Sequence, residues 1–239
     1  MATLHQRRKP VAAPFPGRRE RRRAETREKL FRVAMKLFAE RGFFETTTED
    51  ITNAADVGQG TFFNYFPTKQ HVLTVLSEKQ MERIMHARQE AEAGKIPIHD
   101  VLHQLMHRIA QEPGKSQALT RSLMSAFLSN DEVRQFVRDT MGRGRENLSE
   151  MIKLGQKRGE IRRDRKPADL AMAFQRNAIG TLLLWAMQSD DDLDAWIEKT
   201  FHDFWSAAEV RENQEQSQKQ EPKPGDTGSP GPELRKGKK

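Results

Sequence analysis

Between Gly58 and Pro67 the chain has room for about two turns of helix. Pro67 cannot continue a helix and pushes Phe66 out of helical geometry, so the stop is firm. Phe62 and Phe66 stand four apart and can pack inward together, which leaves Gln59, Thr61, Phe63 and Asn64 on the other faces. Such a helix has an apolar root and an outer surface of amide, hydroxyl and aromatic groups. Amides and hydroxyls read base edges, and Lys69 just beyond supplies a cation for a phosphate. So short a helix needs a platform. Residues 49–57 predict a second helix, with Thr48 as its N-cap and Ile51, Ala54 and Ala55 facing inward. Two short helices across a tight turn, the second carrying the polar surface, form a helix-turn-helix.

The residues TTTEDI at 46–51, then AADVGQGTFFNYF at 54–66, then Lys69, resemble the DNA-binding domain of the tetracycline-repressor (TetR/AcrR) family. That family's pattern is a helix of the form T-x-x-x-I-A-x-x-A-G-V, followed by S-x-G-T-x-Y-x-H/Y-F and a lysine three residues on. The likeness is confined to the N-terminal quarter; the remainder is similar in size and helical layout. Asp56 stands where glycine is usual in the turn, and aspartate tolerates a left-handed backbone better than most residues. Gly58 stands where a capping serine or threonine is usual, a loss of roughly a few tenths of a kcal/mol. Phe63 replaces the usual tyrosine, which removes a phenolic hydrogen bond to phosphate but leaves contact with a thymine methyl or a sugar.

Charge is distributed unevenly. The chain carries a net +7 over 239 residues, yet residues 1–30 alone hold ten Lys/Arg against three Glu. Residues 1–22, rich in Arg, Pro and Ala, are expected to be a disordered basic arm. Its end runs into Arg21, Arg22 and Arg23, placed to enter a minor groove or grip phosphates. Residues 209–239 are expected to be a disordered tail. The chain has no cysteine, hence no disulfide frame and no thiolate chemistry, in keeping with a cytoplasmic protein. No apolar run approaches a membrane span and no hydrophobic segment follows the N-terminal arginines, so no membrane partner is expected.

Elsewhere apolar residues recur at helical spacing. Leu30, Val33, Ala34, Leu37 and Phe38 predict a first helix over 24–41, with Phe43 and Phe44 closing a three-helix core. Residues 70–93, 98–110, 116–129, 131–158, 167–187 and 193–208 predict six more, for about nine in all. Gly142 and Gly144 suggest a kink or a close backbone approach in the long 131–158 helix. The 167–187 helix is apolar on opposite sides and must be covered on both. One side, through Phe174 and Trp185, suits the chain's own core; the other, through Met172, Ile179 and Leu183, suits a second subunit. Trp196, Phe201, Phe204 and Trp205 add aromatic anchors on the last helix, and these seven residues are the expected dimer interface. The resemblance implies the same, since the family pairs its last two helices as a four-helix bundle. His99, His103 and His107 recur at i, i+4 and i+8, a spacing that can ligate zinc or nickel. They fall on the flank away from the apolar stripe with only Asp100 near, so an exposed polar face is expected and no metal site is assigned.

The expected architecture is all-α: a helix-turn-helix domain over 23–70 and a helical ligand-binding and dimerisation domain over 71–208. No Gly-rich phosphate loop, no G-x-S-x-G and no convincing metal-ligand cluster is present, so neither an enzyme nor a cofactor is expected. The expected function is a dimeric repressor released from a palindromic operator by a small hydrophobic ligand. Thr48, Gln59, Gly60, Thr61, Phe63, Asn64, Tyr65 and Lys69, with Arg21, Arg22 and Arg23, would meet duplex DNA. Leu105, Met124, Phe127, Phe174 and Trp185 would wall the ligand pocket. The alternative is a nonspecific or architectural DNA-binding protein acting through its basic ends.

Overall fold

A computed structural model describes residues 17–188 and 192–210. Most of the expected basic arm, and the tail beyond residue 210, lie outside the described residues. Among the described residues there are nine α-helices: α1 (Arg18–Arg41), α2 (Thr48–Ala55), α3 (Gln59–Phe63), α4 (Val72–Ala93), α5 (Ile98–Ala110), α6 (Gln117–Ser129), α7 (Asp131–Arg158), α8 (Pro167–Ala186) and α9 (Leu193–Ala208). The fold is all-α, an N-terminal three-helix helix-turn-helix unit followed by a helical bundle. No described helix is long and apolar enough to cross a membrane.

The first helix begins earlier than composition suggested. Residues 18–22, expected in the disordered arm, form its opening turn. Arginine is a good helix former, and the Glu20 carboxylate accepts from the Gly17 backbone N–H at 3.1 Å, closing the start of the helix.

Two apolar cores organise the chain. The first gathers Phe31 and Phe38 of α1, Ile51 of α2, Phe62 of α3, Phe66 and Leu73, each nearly or fully buried. Leu119, Leu123 and Ala126 of α6 and Val133 of α7 belong to this same core, so packing does not break at residue 70. The second core is formed by the rest of α4 with α5, α7, α8 and α9. Phe43 packs edge-on against Phe38 at 5.0 Å between ring centroids. Phe44, expected beside it, is instead 53% exposed, because the turn after Gly42 directs only one of the adjacent rings inward. Ala54 likewise faces solvent, and Thr52 takes the inward position on α2.

Close helix crossings sit at two glycines of α7. A Cβ on Gly144 would meet the Ile84 Cδ1 of α4 at 3.0 Å, whereas one on Gly142 would meet nothing within 4 Å. At Gly155 a Cβ would come within 2.8 Å of the Ile161 Cδ1 and 3.2 Å of the Ile98 Cγ2, both on fully buried side chains. Gly155→Ala is expected to destabilise the protein by about 1–3 kcal/mol through overpacking, read as a lower urea midpoint; Gly142→Ala, in open space within a helix, is expected to stabilise it slightly.

Candidate nucleic-acid interface and apolar cavity

The N-cap of α2 is Thr47, not the expected Thr48. The Thr47 hydroxyl accepts from the Asp50 N–H at 3.0 Å, and an Asp50 carboxylate oxygen accepts from the Thr47 N–H at 2.8 Å and from its hydroxyl at 2.7 Å. This reciprocal cap needs an acid three residues after the capping threonine, which Asp50 supplies only to Thr47. Those bonds from Thr47, assisted by Arg41, hold the Asp50 carboxyl below its ordinary range. Thr48 is the first helical residue, half-buried. The turn into α3 passes through Asp56 in the left-handed region, at φ 50° and ψ 56°, the conformation the family's glycine suggested.

The α3 helix is shorter than the expected 59–66. Its regular part ends at Phe63, and the N–H groups of Tyr65 and Phe66 both donate to the Phe62 carbonyl at 2.9 Å. That tighter turn brings Phe66 back beneath Phe62, with ring centroids 5.6 Å apart and both side chains buried. The outer surface is left to exposed Gln59, Gly60 and Asn64, half-buried Thr61 and Tyr65, and Phe63 at 50% exposure. A Cβ on Gly58 or Gly60 would meet nothing within 4 Å, so no wall shields this edge from a close neighbour. Exposed Arg21, Arg22 and Arg23 stand on the first turns of α1, and the Arg23 guanidinium lies 5.9 Å from the Tyr65 ring centroid, which brings α1's cationic start beside the end of α3.

Lys69 has a different role from the one expected. Its ammonium donates to the carbonyls of Phe43 at 2.6 Å, Thr46 at 2.7 Å and Phe44 at 3.3 Å, and sits 4.6 Å from the Phe43 ring centroid. All of its N–H donors are engaged within the protein, so no phosphate contact remains for it. Burial pushes it below the ordinary lysine value, opposed by the charges of Glu45 and Asp50. The lysine ties the loop between α1 and α2 to the segment that follows α3.

An apolar cavity of about 150 Å³ lies between α4, α6, α7 and α8. Met124, Phe127 and Phe174 line it as expected walls, but Leu105 and Trp185 do not. Leu105 is packed solid in the second core, and Trp185 is turned into the packing at the end of α8. The sequence reading missed Leu76, Gln80 and Ile84, which line the cavity from α4 at i, i+4 and i+8. A glutamine on that stripe was the available signal. The Gln80 amide N–H donates to the Ile109 carbonyl at 2.8 Å, while its oxygen is buried without a partner among the described residues.

The expected dimer residues divide. On α8, Leu183 is exposed while Met172 and Ile179 are half-buried; Leu184 and Met187 extend the same apolar surface. Phe201 and Phe204 are instead almost wholly buried in their own chain, where Phe204 packs edge-on against Phe174 at 5.3 Å. Trp205 is half-buried and stacks on Phe201 at 6.2 Å; Trp196 is half-buried. The histidines of α5 also depart from expectation. They do not form a free polar face, because α9 covers them: Glu198 bonds to His103 and His107, and Phe201 packs against His99 and His103.

Residues 30–76 match the family model described as bacterial regulatory proteins, tetR family. The HTH-type transcriptional regulator TcmR of Streptomyces glaucescens is 35% identical over 35% of this chain and 37% of its own length. The HTH-type transcriptional repressor KstR of Rhodococcus jostii is 28% identical over 44% of this chain and 50% of its own length. The chain thus spans about half or less of these curated relatives. In fold, it is similar to the transcriptional regulator FadR from Bacillus subtilis, solved in complex with stearoyl-CoA, with a TM-score of 0.63 over 75% of this chain and 97% of that one, at 20% identity. The motif, the helix-turn-helix and the matched model agree: residues 30–76 form a helix-turn-helix domain of the kind described by the model for bacterial regulatory proteins of the tetR family.

Proposed function

We propose that the protein is a dimeric, sequence-specific transcriptional repressor whose grip on a palindromic operator is released by a small, mainly apolar ligand. The observation that carries this reading is the outer surface of α3, where Gln59, Phe63 and Asn64 face solvent while Phe62 and Phe66 root the helix in the first core. Inserted in a major groove, those side chains read base edges, and Arg21, Arg22 and Arg23 hold the backbone beside them. Exposed Gly60 lies on the same helix, and Thr48 at the start of α2 is proposed as a further backbone contact.

The cavity supports the effector half of the proposal. Its volume is comparable to one that admits a benzene-sized molecule, and its lining is apolar apart from a few groups such as the Gln80 amide. The unpartnered Gln80 oxygen favours a ligand that carries one hydrogen-bond donor. Leu76 of α4 and Leu123 of α6 each belong to the first core and to the cavity wall. A ligand that spreads the wall therefore displaces the helices on which α1 packs, and so the separation of paired α3 helices.

The exposed apolar surface of α8 supports a second subunit there. Arg121 and Gln117 of α6 donate to the carbonyls of Ala186 and Trp185, at 2.7 and 3.2 Å, which ties that surface to the cavity wall. Selection of bound sequences from random DNA by the purified protein is expected to return an inverted repeat with half-sites about one helical turn or somewhat more apart. Recovery of no common sequence, or a monomer by light scattering at micromolar concentration, contradicts the proposal.

A further inference from the structure

His103 and His107 lie one turn apart on α5, and Glu198 reaches them from α9. The His103 Nε2 is 2.9 and 3.0 Å from the two Glu198 oxygens, and the His107 Nε2 is 2.9 Å from Oε1. The ligand atoms of these three side chains all lie within 4.8 Å of one another. In a tetrahedral zinc site, with metal–ligand bonds of about 2.0–2.1 Å, neighbouring ligand atoms sit roughly 3.3 Å apart, so each histidine–Glu198 pair needs to open by only a few tenths of an ångström.

The surroundings hold the trio in that arrangement. His99 stacks on His103, the ring planes 9° apart, and Phe201 meets the His103 ring edge-on at 4.9 Å. The other nitrogen of His107, Nδ1, lies 3.4 Å from an Asp194 carboxylate oxygen. A carboxylate on the far side of a histidine ring is the kind of partner that orients zinc-bound histidines. His107 and Asp194 also border a hollow that includes Gln111, Gly114 and Asp192, which gives an ion a route in.

We propose that His103, His107 and Glu198 form a binding site for a divalent first-row transition cation of the zinc type, joining α5 to α9, with water completing the coordination. Paired imidazoles with one carboxylate select zinc, nickel, cobalt or copper over magnesium and calcium, which prefer all-oxygen ligands. The site is separate from the apolar cavity and does not depend on the DNA-binding reading.

The test is Zn(II) titration of the full chain against a chromophoric chelator, with Co(II) as a visible-spectrum probe. One ion per chain is expected, with intense Co(II) bands of four-coordinate geometry. His103→Ala, His107→Gln and Glu198→Gln are each expected to weaken binding by at least about 10–100-fold. His86→Ala, at the His86–Glu90 pair on α4, is expected to leave it unchanged. Zn(II) should also raise the melting temperature of the parent protein but not of the Glu198→Gln variant. Glu198 is exposed and the substitution keeps its shape, so a misfolded variant will not blur the outcome. Stoichiometric Zn(II) left wholly on the chelator, or equal affinity in the parent and in the triple variant His103→Ala/His107→Ala/Glu198→Gln, overturns the proposal and leaves these residues as ordinary ion pairs.

Discussion

Gln59→Ala and Asn64→Ala are each expected to weaken binding to the selected operator by about 1–3 kcal/mol, roughly 5- to 150-fold, with little effect on random duplex DNA. Both side chains are exposed on a surface whose root is buried, so neither change should disturb folding. Fluorescence anisotropy on labelled operator and scrambled duplexes, at one fixed salt concentration, separates the effects. The comparison must include random DNA, because phosphate contacts supply nonspecific affinity regardless of sequence. Equal losses on both duplexes would favour the architectural alternative, in which α3 merely lies against the backbone.

Lys69→Met is expected to unfold the helix-turn-helix unit more readily while removing no direct phosphate contact. The substitution removes the donors to the carbonyls of Phe43, Phe44 and Thr46. Hydrogen bonds to a charged group contribute about 1.5–3 kcal/mol each, but water can reach this half-buried site, so a total loss of about 2–4 kcal/mol is expected from urea denaturation. Salt dependence distinguishes this role from the phosphate contact that the sequence suggested. If Lys69 held a phosphate, its loss would flatten the plot of log affinity against log salt by about one unit; with its donors on carbonyls, the change is expected to fall well short of that. Arg22→Ala, on the exposed start of α1, is expected to do the reverse, lowering the slope with stability preserved.

Local chemistry made the helices and the helix-turn-helix legible. Proline stops, glycine C-caps and apolar stripes act within a few residues, and they placed α4 to α9 within a residue or two of their ends. The cap of α2 was partly readable: Thr48 has Ile51 three residues on and cannot form a reciprocal cap, whereas Thr46 with Glu49 and Thr47 with Asp50 both offer the spacing, and the structure uses the second. What escaped depends on partners far along the chain. Lys69 meets carbonyls 23 to 26 residues away, and His103 meets Glu198 at a separation of 95. A helical wheel shows that a residue is off its own apolar stripe, but not that another helix covers it. Phe201 and Phe204 illustrate the converse: aromatic residues near the chain's end suit an interface, yet α5 and α8 were there to bury them. The cavity was least legible, because Leu105 and Phe174 are alike as inward apolar residues and only the crossing of helices decides which one borders empty space.

If the cavity takes an inducer as proposed, the double membership of Leu76 and Leu123 limits how the protein could be retuned as a sensor. Trimming either one to admit a bulkier inducer would also hollow out the scaffold beneath α1, trading a new response for a looser reader of DNA. Residues such as Ile109, Met141 and Phe174 border the cavity without belonging to the first core. Changes of inducer preference, whether by natural drift or by directed selection, should therefore accumulate at those positions and spare the two leucines.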